Sequence, residues 1–175
     1  MPDSLTLDVI RSAVLAGSER SEILALCSRA HGMDYEPLYR TFLDATHVLA
    51  RWHGTLVSHA LWVTRWLQCG ALPSLRTAYV EAVATEEAWR GRGFATAVMR
   101  RVAAEIGDFE LGGLSPAQPG LYARLGWELW RGPLFIRTRV KLQWRCSMSD
   151  LGPSGQLLGL ESCIDLSFLI NPLLE

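Results

Sequence analysis

The 175-residue sequence lacks the features that mark several large classes of protein. Lys and Arg number 17 against 18 Asp and Glu, so the chain has no excess of positive charge of the kind that nucleic-acid-binding domains show. No apolar run is long enough to cross a membrane. Residues Met1 to Ser4 lack the basic and apolar regions of a signal peptide. We expect a cytoplasmic protein that binds neither nucleic acid nor membranes.

The sequence also lacks a recognisable metal site or catalytic nucleophile. Its four cysteines and four histidines have no paired metal-type spacing, and we expect the cysteines to be free thiols and no metal to be bound. These residues are Cys27, Cys69, Cys146, Cys163, His31, His47, His53 and His59. No serine lies in a nucleophile-elbow pattern and no cysteine has a paired histidine motif, so a covalent mechanism has no support. His59, on an apolar strand, is expected to be a hydrogen-bonded core histidine.

One stretch, from Tyr79 to Ile106, has a clear local pattern. Residues 79–85 alternate as a strand requires, although both faces are largely apolar. From Ala95 onward apolar residues recur at helical spacing. Between them lies Arg90-Gly91-Arg92-Gly93-Phe94-Ala95. The loop precedes a helix N-terminus, where unpaired N–H groups favour an anion, glycine allows close approach and arginine donates to phosphate. We interpret it as a diphosphate-binding loop.

The remaining elements follow from similar signals. Ser18 is the predicted N-cap of a first helix that ends near Arg29, and Gly126 is expected to close a short helix. The predicted strands are 5–13, 47–52, 55–66, 109–114 and 157–168, with a strand start at 127–130, and short helices are expected through Leu38 and Phe42 and over 117–125. Residues 131–156 have no clear pattern, and 169–175 form an apolar tail. The chain is predicted to be a single α/β domain over residues 1–175 with a mixed, mostly antiparallel sheet.

This order of elements resembles the GCN5-related N-acetyltransferases, the GNAT superfamily. The segment Leu121-Tyr122-Ala123-Arg124-Leu125-Gly126-Trp127 is similar to a second signature of that superfamily. Within the superfamily the chain resembles the aminoglycoside 2'-N-acetyltransferases. The matching words are His53-Gly54, Ser58-His59-Ala60, Tyr79 to Ala84, Trp89-Arg90-Gly91, Leu121-Tyr122-Ala123 and Trp130-Arg131-Gly132-Pro133. The similarity extends from about Leu7 to Asp165.

The resemblance implies an enzyme that transfers acetyl from acetyl-CoA to an aminoglycoside amine and so gives antibiotic resistance. It implies that Val83, Ala84 and Thr85 contact the pantetheine arm and that Arg90 through Ala95 hold the diphosphate. It places Tyr122 at the thioester sulfur and makes Glu81 a water-assisted base. Asp34, Glu81 and Ser115 are the implied substrate contacts. Members of the family tend to form homodimers, so a homodimer is expected.

Two departures from the family pattern bear on the substrate. Tyr39 stands where typical members carry a second acid, and the chain ends Asn171-Pro172-Leu173-Leu174-Glu175 instead of in an acidic, tryptophan-containing tail. Fewer carboxylates suit a substrate with fewer ammonium groups, because an unmatched buried charge is costly. The branch of the family that acetylates kasugamycin fits this loss, and the chain resembles that branch most.

Independent chemical reasoning gives compatible roles. Acetyl transfer to an amine needs a base, a donor for the carbonyl oxygen and a proton for the thiolate. Glu81, the Val83 N–H and Tyr122 are the candidates. A solvated strand glutamate is an equally common interpretation of Glu81, and a tyrosine on an amphipathic helix is more often a core residue than a catalyst. Two alternatives stay open: an acetyltransferase for a protein N-terminus, polyamine or other small amine, and a non-catalytic acyl-CoA-binding domain. Dinucleotide binding fails, since no Gly-x-Gly-x-x-Gly follows an N-terminal strand.

Overall fold

The computed structural model of the chain describes residues 5–68, 71–116, 119–130 and 169–172. The strands within these ranges are β1 (Leu5–Arg11), β2 (Thr46–Trp52), β3 (Thr55–Leu67), β4 (Leu75–Thr85), β5 (Leu111–Leu114), β6 (Glu128–Leu129) and β7 (Leu169–Pro172). The α-helices are α1 (Gly17–His31), α2 (Glu36–Tyr39), α3 (Phe94–Glu105) and α4 (Gly120–Ala123).

All seven strands form one sheet in the order β1-β2-β3-β4-β5-β7-β6. The first four pair antiparallel with their neighbours in sequence. β5 then pairs parallel with β4, because α3 carries the chain across one face of the sheet before it returns. β7 lies between β5 and β6 and is antiparallel to both. The mixed, mostly antiparallel sheet is therefore confirmed.

The hairpin between β2 and β3 turns at two residues with positive φ, His53 at +48° and Gly54 at +81°. Two successive left-handed residues match the twist of the flanking strands, which is why such turns favour glycine at the second position. The turn lies between the two strands predicted at 47–52 and 55–66, and it fixes the register of the long β3 strand against β2.

The sheet has a separate hydrophobic layer on each face. On one face α1 and α2 pack through Ile23, Leu26 and Tyr39 against the sheet. On the other face α3 packs its predicted apolar stripe, in which Val98 and Val102 have no exposed area, against β2, β3 and β4. The two layers fix β4 from both sides and so hold the central strand of the predicted site.

Several predicted boundaries differ from the structure. Helix α1 begins at Gly17, so Ser18 lies inside its first turn; the Glu19 carboxylate accepts a hydrogen bond from the Ala16 N–H at 3.1 Å and does the capping. At the other end the helix continues to His31, two residues past the predicted end, and Gly32 with φ +66° is its C-cap. Gly126 has φ +84° after α4, as expected.

Other predicted elements are shorter or of another kind. The 109–114 strand begins at Leu111, because Phe109 closes a turn with its N–H on Ile106. The expected helix over 117–125 covers only Gly120–Ala123 in the described part. Residues 169–172, expected to be a tail, form β7 and hold β6 on the sheet. The predictions for 131–156 and for the 157–168 strand fall outside the described residues.

Strand β4 is irregular near its end. Its register with β3 shifts so that Ala60 faces both Ala82 and Val83, which makes Ala82 the extra residue of a β-bulge with φ +52°. Its pairing with β5 stops at Val80. In the described part of the chain the β5 side of Glu81–Thr85 therefore has no strand beside it, and the sheet opens there.

Candidate active site

A cavity of about 750 Å³ occupies the opening of the sheet beside β4. The end of β4, the loop before α3, the end of β5 and α4 form its walls. The predicted residues that line it are Glu81, Val83, Ala84, Thr85, Arg90, Gly91, Gly93, Phe94, Ala95, Ser115 and Tyr122. Residues from four separate elements that were selected on the sequence alone thus share one cavity.

The loop before α3 offers several backbone donors. Gly91 and Gly93 have φ of +76° and +86°, conformations that glycine adopts readily. Across the described ranges, no acceptor meets the N–H groups of residues 91 to 96, and the first bond of the helix is Ala97 N–H to Gly93 O. The N–H of Arg90 is an exception to the prediction, because it donates to Glu87 O at 3.1 Å. The amides without an acceptor thus begin at Gly91, one residue after the predicted start at Arg90.

The two arginine side chains of the loop were expected to bind phosphate, but the structure gives them other contacts. The Arg90 guanidinium donates to Ala30 O at 3.2 Å and to Thr85 O at 3.4 Å, which ties the loop to the ends of α1 and β4. The Arg92 guanidinium lies 4.6 Å from the centre of the Trp89 ring and does not line the cavity. The amides and the helix N-terminus remain suited to a diphosphate, so the loop fits a nucleotide without help from these charges.

Glu81 sits between a cation and the cavity. Arg65 of β3 donates through Nη2 to Glu81 Oε1 at 3.1 Å, and its guanidinium lies 4.2 Å from the centre of the Tyr79 ring. Burial raises the pKa of Glu81 to about 7, and the positive charge of Arg65 opposes that rise. A carboxylate with a pKa near neutrality can both take and return a proton at physiological pH, which is the property a general base needs.

Three residues of this region were missed in the sequence. Tyr35 and His31 line the cavity on the α1 side, with their rings stacked 4.9 Å apart. Burial raises the pKa of Tyr35, and a hydrogen bond from the backbone of Ala82 lowers it slightly. Arg65 lies beyond Glu81 on β3. Tyr35 directly follows the predicted contact Asp34, but neither His31 nor Arg65 carried a motif that would have indicated it.

Tyr122 projects from α4 toward the opening and is largely buried against Trp127, with the ring centres 6.5 Å apart. Burial raises the pKa of Tyr122 to about 12, so its hydroxyl stays protonated and can donate. Ser115 lies beside it after β5. Asp34, by contrast, is exposed outside the cavity, where its Oδ1 accepts from the Glu36 N–H at 3.1 Å.

The structure brings together a cysteine and a histidine that lie 32 positions apart. Cys27 Sγ is 3.8 Å from His59 Nδ1, and both side chains are completely buried. Burial raises the pKa of the Cys27 thiol to about 12, so it is protonated and a poor nucleophile. His59 is hydrogen-bonded in the core, as predicted.

In the part of the chain that is described, no group of three His, Cys, Asp or Glu side chains forms a metal site. Among those same residues, no helix is long and apolar enough to span a membrane.

A mixed sheet that opens at its central strand beside a row of unpaired amides defines an acetyltransferase fold. The chain belongs to the acetyltransferase (GNAT) domain family, whose model matches residues 14–130. Domains of this family use acetyl-CoA.

More particular relatives agree with this assignment. An aminoglycoside 2'-N-acetyltransferase of Mycolicibacterium fortuitum is 44% identical over 97 residues, which are 54% of this chain and 49% of that protein. The match thus spans about half the length of this curated relative. Among solved structures, the Escherichia coli GNAT protein YhbS in complex with CoA superposes with a TM-score of 0.62 at 15% identity, over 99% of this chain and 85% of that one. Eis1 of Mycobacterium abscessus gives 0.60 at 20% identity, over 71% of this chain and 31% of that one.

Proposed function

We propose that the protein transfers the acetyl group of acetyl-CoA to the 2'-amino group of an aminoglycoside and thereby protects its host from the antibiotic. Within this class, kasugamycin is the acceptor that we propose. The observation that carries the proposal is the shared cavity, in which a carboxylate with a near-neutral pKa, a protonated tyrosine and a row of free amides line one space. The similarity to the mycobacterial aminoglycoside acetyltransferase supports the acceptor class.

The residues present fit an acyl-CoA donor. The amides of Gly91 to Thr96 and the N-terminus of α3 would hold its diphosphate, and the open edge of β4 from Val83 to Thr85 would pair with the pantetheine arm. When bound, the donor supplies an activated acetyl carbonyl. Holding two substrates in line accounts for much of the acceleration that such a site provides.

The chemical roles then follow from the side chains. Glu81, directly or through one water, takes a proton from the acceptor ammonium, so that the nitrogen lone pair can attack the thioester carbon. The Val83 N–H donates to the carbonyl oxygen as it gains negative charge. Tyr122 would donate its proton to the sulfur as the carbon–sulfur bond breaks, and the nitrogen would lose its second proton, which restores the tyrosine hydroxyl. The products are the amide and free CoA thiol, and one net proton leaves through Glu81.

The pairing of Arg65 with Glu81 favours an acceptor with few ammonium groups. In the described portion of the acceptor side, one carboxylate faces one guanidinium, so this wall offers no excess negative charge to a polycation. Kasugamycin is less densely charged than the 4,5- and 4,6-disubstituted aminoglycosides and therefore fits better.

The test is the release of CoA thiol from acetyl-CoA with a panel of kasugamycin, 4,5- and 4,6-disubstituted aminoglycosides, a polyamine and a peptide N-terminus. We expect turnover with kasugamycin and, by mass and NMR of the product, acetylation at the 2' nitrogen. Faster turnover of the polyamine or the peptide would show that the natural acceptor belongs to that class and is not an aminoglycoside. Binding of acetyl-CoA without thiol release for any amine would instead indicate a non-catalytic acyl-CoA-binding domain.

A further inference from the structure

A line of polar groups runs through the core beneath α1, from the end of β1 to the bulge in β4. Ser12 Oγ lies 2.9 Å from His47 Nε2, and His47 Nδ1 lies 3.0 Å from His59 Nε2. His59 Nδ1 is 3.0 Å from the carbonyl oxygen of Ala82. Both imidazoles have no exposed area, and most of the residues beside them on β2 and β3 are buried and apolar. Two fully buried histidines in series call for an explanation, because burying polar groups in a core is costly unless each is satisfied.

Only one arrangement of protons satisfies every contact in the line. A carbonyl oxygen can only accept, so His59 must carry its proton on Nδ1. Burial lowers the pKa of His59 to about 3 and that of His47 to about 4, so each ring is neutral and carries a single proton. His59 Nε2 therefore accepts from His47 Nδ1–H, and His47 Nε2 accepts from the Ser12 hydroxyl. Each ring thus fixes the tautomer of the next.

The inner end of the line meets the most unusual backbone in the strand. Ala82 has φ +52°, a conformation that residues with a side chain rarely adopt. Its carbonyl accepts from His59 Nδ1 at 3.0 Å and from the Cys27 thiol at 4.0 Å, and its N–H donates to the Tyr35 side chain. Both peptide groups of the bulged residue are thus satisfied by side chains from outside β4. The residues on either side of it are Glu81 and Val83, which both line the cavity.

We infer that His59, oriented by His47 and Ser12, is a positioning residue that holds the β4 bulge and thereby sets the direction of the Glu81 carboxylate and the Val83 N–H. The inference rests on the proposed function for the roles of Glu81 and Val83, while the hydrogen-bond line itself is independent of any activity. The line is not a route for protons, since its inner end is a carbonyl oxygen that neither gives nor takes one. Cys27, 3.8 Å from His59 Nδ1, is a protonated neighbour and does not replace the carbonyl as the acceptor.

The kinetic test compares His59→Asn, His59→Leu and Val48→Ala. The asparagine amide N–H can take the place of Nδ1–H, whereas leucine cannot donate. Val48 is buried on the opposite face of the sheet and is the control for a general loss of core packing.

We expect His59→Leu to lower kcat by roughly 10²-fold, because small misplacements of catalytic groups have effects of this size. Its dissociation constant for acetyl-CoA should change by less than about threefold, since the loop before α3 is untouched. His59→Asn should recover most of kcat, and Val48→Ala should keep it. Equal losses of kcat and acetyl-CoA affinity in both His59 variants, or normal kcat in His59→Leu, would overturn the inference.

The second test needs no activity and uses the unaltered protein. Long-range ¹H–¹⁵N NMR of the imidazoles should show both His47 and His59 as neutral Nδ1–H tautomers that do not titrate between pH 5 and 8. Besides burial, the charge of Arg20 lowers the pKa of His47, and the charges of His47 and His31 lower the pKa of His59. An Nε2–H tautomer at His59, or titration in that range, would refute the hydrogen-bond line. If no amine is acetylated, this measurement still decides on the line, so failure here is distinguishable from failure of the proposed function.

Discussion

At the scale of single residues, the environment of Glu81 decides how it can act. Burial and Arg65 act in opposite directions on its carboxyl group and leave its pKa at about 7, above the 4.5 of a free side chain. A base must be ionised to accept a proton, so activity should fall as pH drops through this pKa. Within the described ranges, Arg65, Tyr35 and Tyr79 interact electrostatically with this carboxyl group.

The variant Arg65→Met should therefore move the acidic limb of the kcat profile to higher pH, because the cation that lowers the Glu81 pKa is gone. Arg65→Lys retains a positive charge and should leave the limb closer to that of the unaltered protein. Glu81→Gln should lower kcat by ~10²–10⁴-fold and abolish the limb, with acetyl-CoA binding retained. The measurement is initial rate against pH at saturating substrates. A limb that stays in place in Arg65→Met and persists in Glu81→Gln would show that another group titrates.

Tyr122 and Tyr39 offer a matched comparison of two largely buried tyrosines. Tyr122→Phe removes the proposed proton donor and should lower turnover by more than about tenfold without loss of acetyl-CoA binding. Among the described residues the Tyr39 hydroxyl has no hydrogen-bond partner, so Tyr39→Phe removes an unsatisfied polar atom. It should preserve turnover and leave thermal stability equal or higher. Equal turnover in the two variants would remove Tyr122 from the mechanism.

The sequence was sufficient to select candidate site residues, but it did not indicate which side chains and backbone groups contact them. Glu81 and Tyr122 could be selected because a strand and a helix place them beside a glycine-bearing loop. The ion pair to Arg65, by contrast, depends on the β3–β4 register across a connection whose length does not determine it. The contact of His59 with Ala82 depends on a bulge, and a bulge leaves no trace in an alternation of apolar residues. Arg90 was assigned to phosphate by its charge, but two nearby carbonyl oxygens accept from it instead.

At the scale of elements, the loop before α3 shows which features of a local pattern are reliable. The loop and the helix were both found, because positive φ at Gly91 and Gly93 and the apolar stripe of α3 are local properties. Residues 109 and 110, by contrast, were predicted as the start of a strand but belong to a turn in the structure. The aromatic Phe109 suits a strand, but pairing with β4 begins only at Leu111.

The variant Gly93→Val should weaken acetyl-CoA binding by at least about tenfold. A β-branched residue is strained at φ +86°, so the loop must shift and take its amides out of line. Gly17→Ala is the control, because Gly17 opens α1 without positive φ and has free space around its Cα. Isothermal titration with acetyl-CoA measures the effect, with circular dichroism to check folding. Unchanged affinity in Gly93→Val would exclude the loop as the diphosphate site.

At the scale of the whole molecule, one continuous sheet joins residues from Leu5 to Pro172. This continuity supports our proposal that the chain is a single domain. The last strand, β7, has a particular place in it, because β6 reaches the rest of the sheet only through β7 among the described pairings. The end of β5, which β7 borders, leads into Ser115 and the cavity.

Removal of residues 169–175 should therefore affect both stability and the site. Loss of two strand pairings should lower the midpoint of thermal unfolding by more than about 4 °C, the shift that ~1–2 kcal/mol produces in a chain of this size. Acetyl-CoA affinity should fall as well, since the wall formed by β5 and α4 loses its support. The control removes only residues 173–175, beyond β7. Identical melting and affinity in the two truncated chains would show that β7 does not support this wall.

The bulge at Ala82 has a consequence for how this protein can diverge. Because the strand contains one additional residue, Glu81 and Ala82 face the same side of the sheet although they are neighbours, and the two halves of β4 are out of phase. Loss of that single codon would restore regular alternation and turn either the carboxylate or the following segment to the opposite face. Point substitutions can adjust acceptor preference, but insertions and deletions in this strand would separate the base from the donor-binding edge in one event. Length variation among descendants should therefore accumulate outside residues 75–85.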